Sequence, residues 1–425
     1  MIFSKLKIKF ILFTALFLTM GFDGESLALS DPGSFLGVCS QITRETRQYN
    51  PFAIHEELLD SIQSANIHFT RTGFKWKVIH PSKNKWDWRV ADEIVASATA
   101  KNIQILALVS GMPVKTMGNP ATYIELWKEF VDSLSIRYAQ DVKHWEIWNE
   151  PNIRSGKYWP QDALPEVFAE YVIEAAQVIR KNQLDATILL GGLTTGKKAK
   201  PFKHWEDLFD LGVLEVVDGI AYHPYHYSGK SLIEFNNKLY ALVGKHTSKQ
   251  MEYWVTEYGF PGVDKESSKF SFKAQERNLL KSALIHWAHG GTKFFIYSLK
   301  DKKHFDPSSN DQTIRKNRGG YFGLIKLDGS PKPSLDAVRW LARLTQNYIP
   351  VKLEQKQGGV LITARHVQTG KEAFFSWGSG VHRGLLDQSQ KKRISSYETK
   401  HSRIDLSVTN QAAVEAHADD VLFWR

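Results

Sequence analysis

Two stretches of the sequence decide the fold: KHWEIWNEPN at residues 143–152 and MEYWVTEYG at residues 251–259. Both are short runs of aromatic, β-branched and aliphatic residues, the composition of a buried strand, and both turn polar at their carboxyl ends. Six further runs of this kind occur between residues 31 and 345, so eight strands are predicted there. The predicted strands are 37–42, 68–72, 103–109, 143–148, 186–191, 217–222, 251–256 and 292–299.

The spacing of these runs predicts how the strands are connected. Their starts lie about 30 to 45 residues apart, which leaves room for one helix and two loops between neighbours. Amphipathic stretches such as 121–138 and 165–181 fit between them. Eight such units predict an α/β fold, a closed (β/α)8 TIM barrel over residues 31–345. The alternative is a doubly wound open sheet, which would usually carry a glycine-rich phosphate turn after an early strand, and the sequence has none.

The C-terminal part of the chain has a different pattern. From about Gln346 the sequence changes to short alternating strands, predicted at 360–366, 372–377, 404–408 and 421–424, with turn residues between them. Residues 346–425 are therefore predicted to form a small all-β, β-sandwich-like domain. Because about eighty residues is near the lower limit for independent stability, this domain should pack against the barrel.

Composition excludes several classes of protein. The 425 residues are 42% hydrophobic and 24% charged, which excludes disorder, collagen and a coiled coil as the main state. The single cysteine, Cys39, excludes an intrachain disulfide, a redox dithiol and a cysteine-rich zinc site. On the apolar first strand, Cys39 is expected to be a small buried hydrophobic residue.

The first thirty residues indicate export. Three lysines precede an apolar run at residues 10–20, and small residues follow at Ala28 and Ser30, which is the pattern of a cleavable signal peptide over residues 1–30. The run is too short to span a bilayer, so a secreted or periplasmic protein without stable membrane insertion is predicted. The net charge of +10 favours anionic partners, and export argues against nucleic acid among them. Nothing in the sequence indicates an oligomeric state.

The glutamates at the strand ends are the first candidates for chemistry. A barrel carries its active site at the carboxyl ends of its strands, and Glu150 and Glu257 end strands four and seven. Strands three apart in the ring face each other across the mouth, where two carboxylates can approach to about 5 to 5.5 Å, as a retaining glycosidase requires. One then acts as a protonated acid while the other attacks the anomeric carbon. The alternative for a single strand-end glutamate is a solvated loop residue.

The residues around these glutamates carry a family resemblance. Residues 147–152, IWNEPN, resemble the acid/base signature of the clan A glycoside hydrolases, and 255–259, VTEYG, resemble the nucleophile strand of that clan. Further matches are FTR at 69–71, YHPY at 222–225 and the stretch 323–333, so the similarity covers nearly the whole barrel. Within the clan, the sequence is most similar to glycoside hydrolase family 39 and its bacterial branch of exopolysaccharide endoglycosidases, although family 5 enzymes share the same motifs.

The resemblance implies a role for each matching residue. Glu150 would be the general acid/base and Glu257 the nucleophile. Asn149 would donate to the sugar 2-hydroxyl, while Arg71 and Tyr225 would donate to the Glu257 carboxylate. The same network would include His223. Two alternatives stay open: a structural ion pair for Arg71 and a core position for His223.

Sugar stacking is the other role that the resemblance implies. Tyr297 ends strand eight where the clan usually carries tryptophan, and a phenol offers less stacking area but adds a hydroxyl. Trp76 and Trp148 are further candidate platforms, with ordinary core packing as the alternative. A two-glutamate mechanism needs no cofactor and no metal, and no short ligand spacing in the sequence predicts a metal site.

Three functions remain open at this point. The first is a retaining endoglycosidase that acts on a polysaccharide, such as a biofilm exopolysaccharide. The second is an exo-acting glycosidase of the xylosidase, iduronidase or family 5 type, and the third is a noncatalytic carbohydrate-binding barrel. Two basic loops, 196–204 with four lysines and no acid and 300–318 with six basic and three acidic residues, favour a substrate that carries acidic groups. The alternative is that these are solvated loops that keep an exported protein soluble.

Overall fold

The computed structural model describes ten parts of the chain: residues 35–40, 51–82, 84–113, 119–153, 159–160, 163–356, 359–378, 396–398, 403–405 and 421–424. The predicted signal peptide, residues 1–30, lies outside them. Among the described residues no helix is both long enough and apolar enough to cross a membrane.

Eight parallel strands close into a barrel in sequence order, with the last strand paired to the first. This confirms the predicted TIM barrel. The strands are β1 (Leu36–Cys39), β2 (Phe69–Lys75), β3 (Gln104–Ser110), β4 (His144–Asn149), β5 (Thr187–Thr194), β6 (Gly219–His223), β7 (Glu252–Tyr258) and β8 (Lys293–Ile296).

Helices alternate with these strands and surround the barrel, because the long helices bury an apolar stripe against the sheet. The longest helix begins at Pro165, whose fixed φ suits a first turn, and buries residues at intervals of three and four. The helices are α1 (Pro51–Ser64), α2 (Trp76–Ile79), α3 (Arg89–Ala100), α4 (Ile124–Arg137), α5 (Pro165–Asn182), α6 (Pro201–Asp210), α7 (Val213–Val216), α8 (Lys230–His246), α9 (Phe272–Ala288), α10 (Asp311–Lys316) and α11 (Pro333–Asn347).

The lower half of the barrel interior is an apolar plug. Seven strands contribute one buried side chain each, and β4 contributes His144, whose ring lies 4.9 Å from that of Phe69. The seven are Cys39, Phe69, Leu106, Leu189, Ala221, Trp254 and Phe295. Cys39 is a small buried residue, as expected, and its thiol donates to the carbonyl of Thr256 at 3.2 Å. Arg71, Glu146 and Thr256 each lie two residues after a side chain of this layer, so they point inward above the plug, toward the carboxyl ends of the strands.

The C-terminal strands form one antiparallel sheet, which confirms the predicted all-β region. Its strands are β9 (Tyr348–Lys356), β10 (Gly359–His366), β11 (Glu372–Gly378), β12 (Ser396–Glu398), β13 (Arg403–Asp405) and β14 (Leu422–Trp424), in the order β13-β12-β14-β11-β10-β9. In the described part of the region there is one sheet rather than the two facing sheets of a sandwich, because α9 supplies the opposing layer: the rings of Trp287 and Phe375 lie 5.7 Å apart. Strands β9 and β12 were not predicted.

Candidate active site

The two strand-end glutamates meet at the mouth of the barrel. Glu150 directly follows β4 and Glu257 lies near the end of β7, and both are mostly buried, with 13% and 15% of the side chain exposed. One oxygen of each carboxylate, together with a ring nitrogen of His223, lies within 4.8 Å of the others. This separation is close to the roughly 5 to 5.5 Å of a retaining glycosidase and shorter than the roughly 6.5 to 9.5 Å at which an inverting enzyme holds its carboxyl groups.

The backbone at the end of β4 explains how Asn149 and Glu150 reach the site. Trp145, Ile147 and Trp148 all pack in the outer core, so the alternation of the strand slips by one residue at Trp148. Trp148 has a φ of 76° and Glu150 a φ of 46°, both in the left-handed region that non-glycine residues rarely adopt. The slip turns the Trp148 ring outward and the Asn149 side chain inward.

The placement of the two tryptophans corrects their candidate role as sugar platforms. Trp148 is 1% exposed, and its ring lies 5.5 Å from that of Trp127 and 5.1 Å from that of Trp159. Trp76 is also 1% exposed and lies 5.6 Å from Trp127. Neither has a free face for a sugar, so the packing alternative describes both. Tyr297 remains partly exposed, 6.3 Å from the ring of Tyr225, with Lys302 donating to its hydroxyl.

Arg71 connects three groups of the site. Its Nη1 donates to Glu257 Oε1 at 2.5 Å, and its Nη2 donates to Asn149 Oδ1 at 2.8 Å. The other edge of the guanidinium donates to both oxygens of Glu146, at 2.5 and 2.9 Å. Arg71 therefore fits both interpretations of its role: it forms a structural ion pair with Glu146, and it donates to Glu257.

The surroundings of Glu257 hold it ionised. Burial alone would raise the pKa of this carboxyl, but the nearby His223 and Arg71 and the donated hydrogen bonds lower the pKa below its ordinary value. One of those bonds comes from the Tyr225 hydroxyl, 2.9 Å from Oε2. An ionised, oriented carboxylate is what a nucleophile in this position requires.

His223 is fully buried yet belongs to the site. Its Nδ1 lies 2.9 Å from Glu150 Oε1, and its Nε2 lies 3.1 Å from the hydroxyl of Thr256. The Thr256 hydroxyl in turn donates to Glu146 Oε1 at 3.0 Å. The backbone N–H of Gly192 donates to the same oxygen, and a Cβ at residue 192 would lie 2.3 Å from His223 Nε2, so only glycine fits there.

Three residues of the site, Glu146, Thr256 and Lys75, were not predicted from the sequence. Glu146 and Thr256 lie within apolar strands, and the one feature that could have identified them is a polar residue in a buried run. Lys75 lies on β2 four residues after Arg71 and therefore on the same face. Its Nζ donates to Ser110 Oγ at 3.1 Å and forms no ion pair with a carboxylate that the structure describes. Burial and the charge of Arg71 lower the pKa of Lys75 to about 8.

Glu150, His223 and Glu257 also form the described cluster whose donor atoms are close enough to share a metal ion. The chemistry of the cluster does not suit a cation, because both oxygens of Glu257 already accept hydrogen bonds and one of the donors is the positively charged Arg71. The arrangement suits a sugar ring that develops positive charge at its anomeric carbon.

The predicted basic loops lie at the same end of the barrel, since one follows β5 and the other β8. In the first, Lys198 and Lys200 are exposed and Lys203 pairs with Asp207 at 2.5 Å. In the second, Lys300 lies 3.8 Å from Glu57. Acidic partners therefore offset part of the positive charge that was predicted at the mouth of the barrel, and the rest remains exposed.

Comparison with known proteins agrees with this geometry. The model of glycosyl hydrolase family 10 matches residues 35–278. A family 39 glycoside hydrolase from the gut symbiont Bacteroides cellulosilyticus WH2 has the same fold, with a TM-score of 0.68, 17% identity and coverage of 92% of this chain and 80% of that one.

Two further structures share the fold. Xylanase 10B from Thermotoga petrophila RKU-1, in complex with xylobiose, has a TM-score of 0.54 and 16% identity over 74% of this chain and 95% of that one. A monomeric β-xylosidase from Caulobacter crescentus CB15 has a TM-score of 0.56 and 14% identity over 87% of this chain and 79% of that one. No curated protein sequence matches this chain. The predicted likeness to clan A is confirmed, and the fold is shared with a family 39 enzyme, while the family model that matches is that of family 10.

Proposed function

The chain belongs to glycosyl hydrolase family 10 and is a clan A glycoside hydrolase, and we propose that it is a secreted enzyme that cleaves an extracellular polysaccharide by double displacement. The observation that carries the mechanism is the pair of carboxylates within 4.8 Å of each other in unlike surroundings. Glu257 is held by two donors, whereas Glu150 faces an imidazole. Secretion is part of the proposal and rests on the pattern of residues 1–30.

The two steps follow from these surroundings. In the first, Glu257 attacks the anomeric carbon as the bond to the leaving sugar oxygen breaks, and Glu150 gives its proton to that oxygen. Esterification removes the negative charge of Glu257. In the second step Glu150, now a carboxylate, takes a proton from water, and the resulting hydroxide attacks the anomeric carbon and releases Glu257.

Asn149 is placed to assist both steps. Its Oδ1 accepts from Arg71, so the amide NH2 group is left as a donor toward the mouth. A hydrogen bond to the sugar 2-hydroxyl, strengthening in the transition state, is the role that this orientation supports.

An exo-acting glycosidase is the second candidate, favoured by the likeness to the Caulobacter β-xylosidase. A noncatalytic barrel is the weaker alternative, because both carboxylates and their donors are in place. Sizing the products of a long polymer distinguishes endo from exo action, since endo cleavage releases oligosaccharides before monosaccharide.

Lys75 supports a substrate with acidic groups. It is a cation on the inward face of β2 without a carboxylate partner among the described residues, and Lys302 lies beside Tyr297 after β8. Strands β2 and β8 both flank β1 in the barrel, so the two cations lie in neighbouring sectors of the mouth. A sugar carboxylate would pair with Lys75 and offset the burial of its charge.

The test compares a glucuronate-bearing xylan with the same polymer after reduction of its carboxyl groups. We expect the wild type to cleave the acidic form at least tenfold faster, and Lys75→Met to lose that preference while cleaving the reduced polymer as before. Lys77→Met, an exposed lysine two residues away, is the matched control. Equal cleavage of both polymers by wild type and Lys75→Met would refute an acidic substrate, and cleavage of neither would count against the choice of polymer backbone.

A further inference from the structure

A buried chain of hydrogen bonds leads from the floor of the site to the acid/base residue. It runs from Glu146 to the Thr256 hydroxyl at 3.0 Å, from there to His223 Nε2 at 3.1 Å, and from His223 Nδ1 to Glu150 Oε1 at 2.9 Å. Glu146, Thr256 and His223 are all fully buried, so bulk water does not interrupt the chain.

The first bond of the chain has only one possible direction. Both oxygens of Glu146 accept from Arg71, and Oε1 also accepts from the backbone N–H of Gly192 at 3.0 Å. A carboxylate engaged in this way has no proton to give. The Thr256 hydroxyl must therefore donate to Glu146, and this uses the only proton of that hydroxyl.

The direction of the first bond determines the second. With its proton committed, the Thr256 oxygen can only accept from His223, so the hydrogen on the imidazole lies on Nε2. The contact between Nδ1 and Glu150 Oε1 then requires one more proton between those two atoms. We propose that Glu146 and Thr256 are positioning residues that hold His223 in this state, so that the Glu150–His223 pair keeps the acid proton in the resting enzyme.

The opposite tautomer shows why this matters. A neutral imidazole with its hydrogen on Nδ1 would donate to a Glu150 carboxylate and stabilise the ionised form, which cannot protonate a leaving group. The charged and titratable groups that face the pair are Arg71 from β2, Glu146 from β4, Tyr225 and His226 after β6, and Glu257 from β7.

This role of the pair rests on the proposed function. Over the two steps of the reaction, the pair gives up one proton and receives one. In the first step the proton of the pair moves to the leaving oxygen as the C–O bond breaks, and in the second step one proton of water returns to the pair. The balance holds whichever of the two atoms carries the proton at a given moment.

Nuclear magnetic resonance of the ¹⁵N-histidine-labelled protein tests the tautomer without any substrate. His223 signals are assigned by their loss in His223→Gln. We expect the wild type and Thr256→Ser to show Nε2–H, and Thr256→Val to show a mixture with Nδ1–H. In Thr256→Val, Glu146 keeps its donors Arg71 and Gly192. Thr72→Val is the control, because the buried Thr72 hydroxyl makes no hydrogen bond to any described residue.

The pH profile of kcat/KM, measured on aryl glycosides with good and poor leaving groups, tests the consequence. For the poor leaving group, Thr256→Val should move the basic limb to lower pH by about one unit, a tenfold loss of proton affinity. Thr256→Ser should restore the wild-type limb, and the good leaving group should be little affected. An unchanged tautomer, or a uniform loss at every pH, would overturn the proposal. A correct tautomer shift in a protein that cleaves no glycoside would instead count against the proposed function.

Discussion

At the scale of single residues, the two glutamates of the site differ in the groups that surround them. Glu257 accepts from a guanidinium and a phenol, which stabilise its charge, while Glu150 faces a ring nitrogen with which it shares a proton. Identical side chains thus carry opposite roles, because hydrogen bonding to the charged form favours that form.

Glu257→Gln should abolish covalent trapping by a 2-fluoro glycoside. The amide cannot form the glycosyl ester, so intact-protein mass spectrometry should show no adduct, whereas wild type accumulates one. The circular dichroism spectrum should be unchanged, because Gln has the size of Glu and Arg71 keeps its contacts with Glu146.

Glu150→Ala is the matched control for that experiment. It lacks the acid but keeps the nucleophile, so it should still be labelled by a glycoside with a good leaving group, and azide should restore turnover by replacing the activated water. Labelling of Glu257→Gln at the wild-type rate would contradict the assignment of the nucleophile.

At the scale of secondary-structure elements, a buried ion pair joins the loops that form the mouth. Lys332, at the start of α11, donates to Asp301 at 2.8 Å and to the carbonyls of Gly262 after β7 and Tyr321 after β8. Asp301 also accepts from the backbone N–H of Gly323. Burial raises the pKa of Asp301 to about 6, in spite of the neighbouring lysine.

Lys332→Met should lower the free energy of unfolding by about 3 to 5 kcal/mol at pH 7, because it leaves the Asp301 carboxylate buried without its cation. The loss should be smaller at pH 5. The pKa of Asp301 is higher in the folded than in the unfolded chain, so at pH 5 the folded state binds a proton that the unfolded state releases. The protonated carboxyl needs no cation. The stability of the folded state falls as pH rises through about 6, where that proton is lost. Urea unfolding at the two pH values measures both effects.

The control for this element is an exposed pair. Lys203 is largely exposed and bridges to Asp207 one turn along α6, so Lys203→Met should change the free energy of unfolding far less than Lys332→Met does. A loss in Lys332→Met no larger than this would mean that the buried pair does not hold the loops together.

At the scale of the whole molecule, charge and packing are distributed unevenly. The two basic loops lie at the catalytic end of the barrel, while the C-terminal sheet packs against α9 through Trp287 and Phe375. Side chains of the barrel and of the sheet belong to one continuous hydrophobic cluster. The sheet therefore shares the core of the barrel, as expected for a region too small to be stable alone.

On an acidic polymer, kcat/KM should fall clearly as salt rises from about 0.02 to about 0.5 M, because the Debye length shrinks well below 10 Å over this range. Changing Lys197 and Lys198 to Glu should weaken the salt dependence. Lys181 and Lys371 changed to Glu give the same net charge away from the mouth and should leave it unaltered. Salt-independent cleavage in all three proteins would show that the loops do not steer the substrate.

The sequence by itself determined the barrel, the C-terminal all-β region and the two strand-end glutamates. Strand composition, the spacing of the runs and polar strand ends are local properties, which can be identified in the sequence without knowing how the elements pack. For the same reason the resemblance located Arg71, Asn149, His223 and Tyr225, which lie in short motifs.

Only the tertiary structure decided which side chains meet. Glu146, Thr256 and Lys75 join the site because of strand register, and Trp148 leaves it because the strand slips by one residue there. A shift of one residue moves a side chain to the other face of a sheet, and neither strand register nor a bulge can be predicted from a local sequence pattern. The proton on His223 follows from a chain of four residues on three strands, which only the closed barrel brings together.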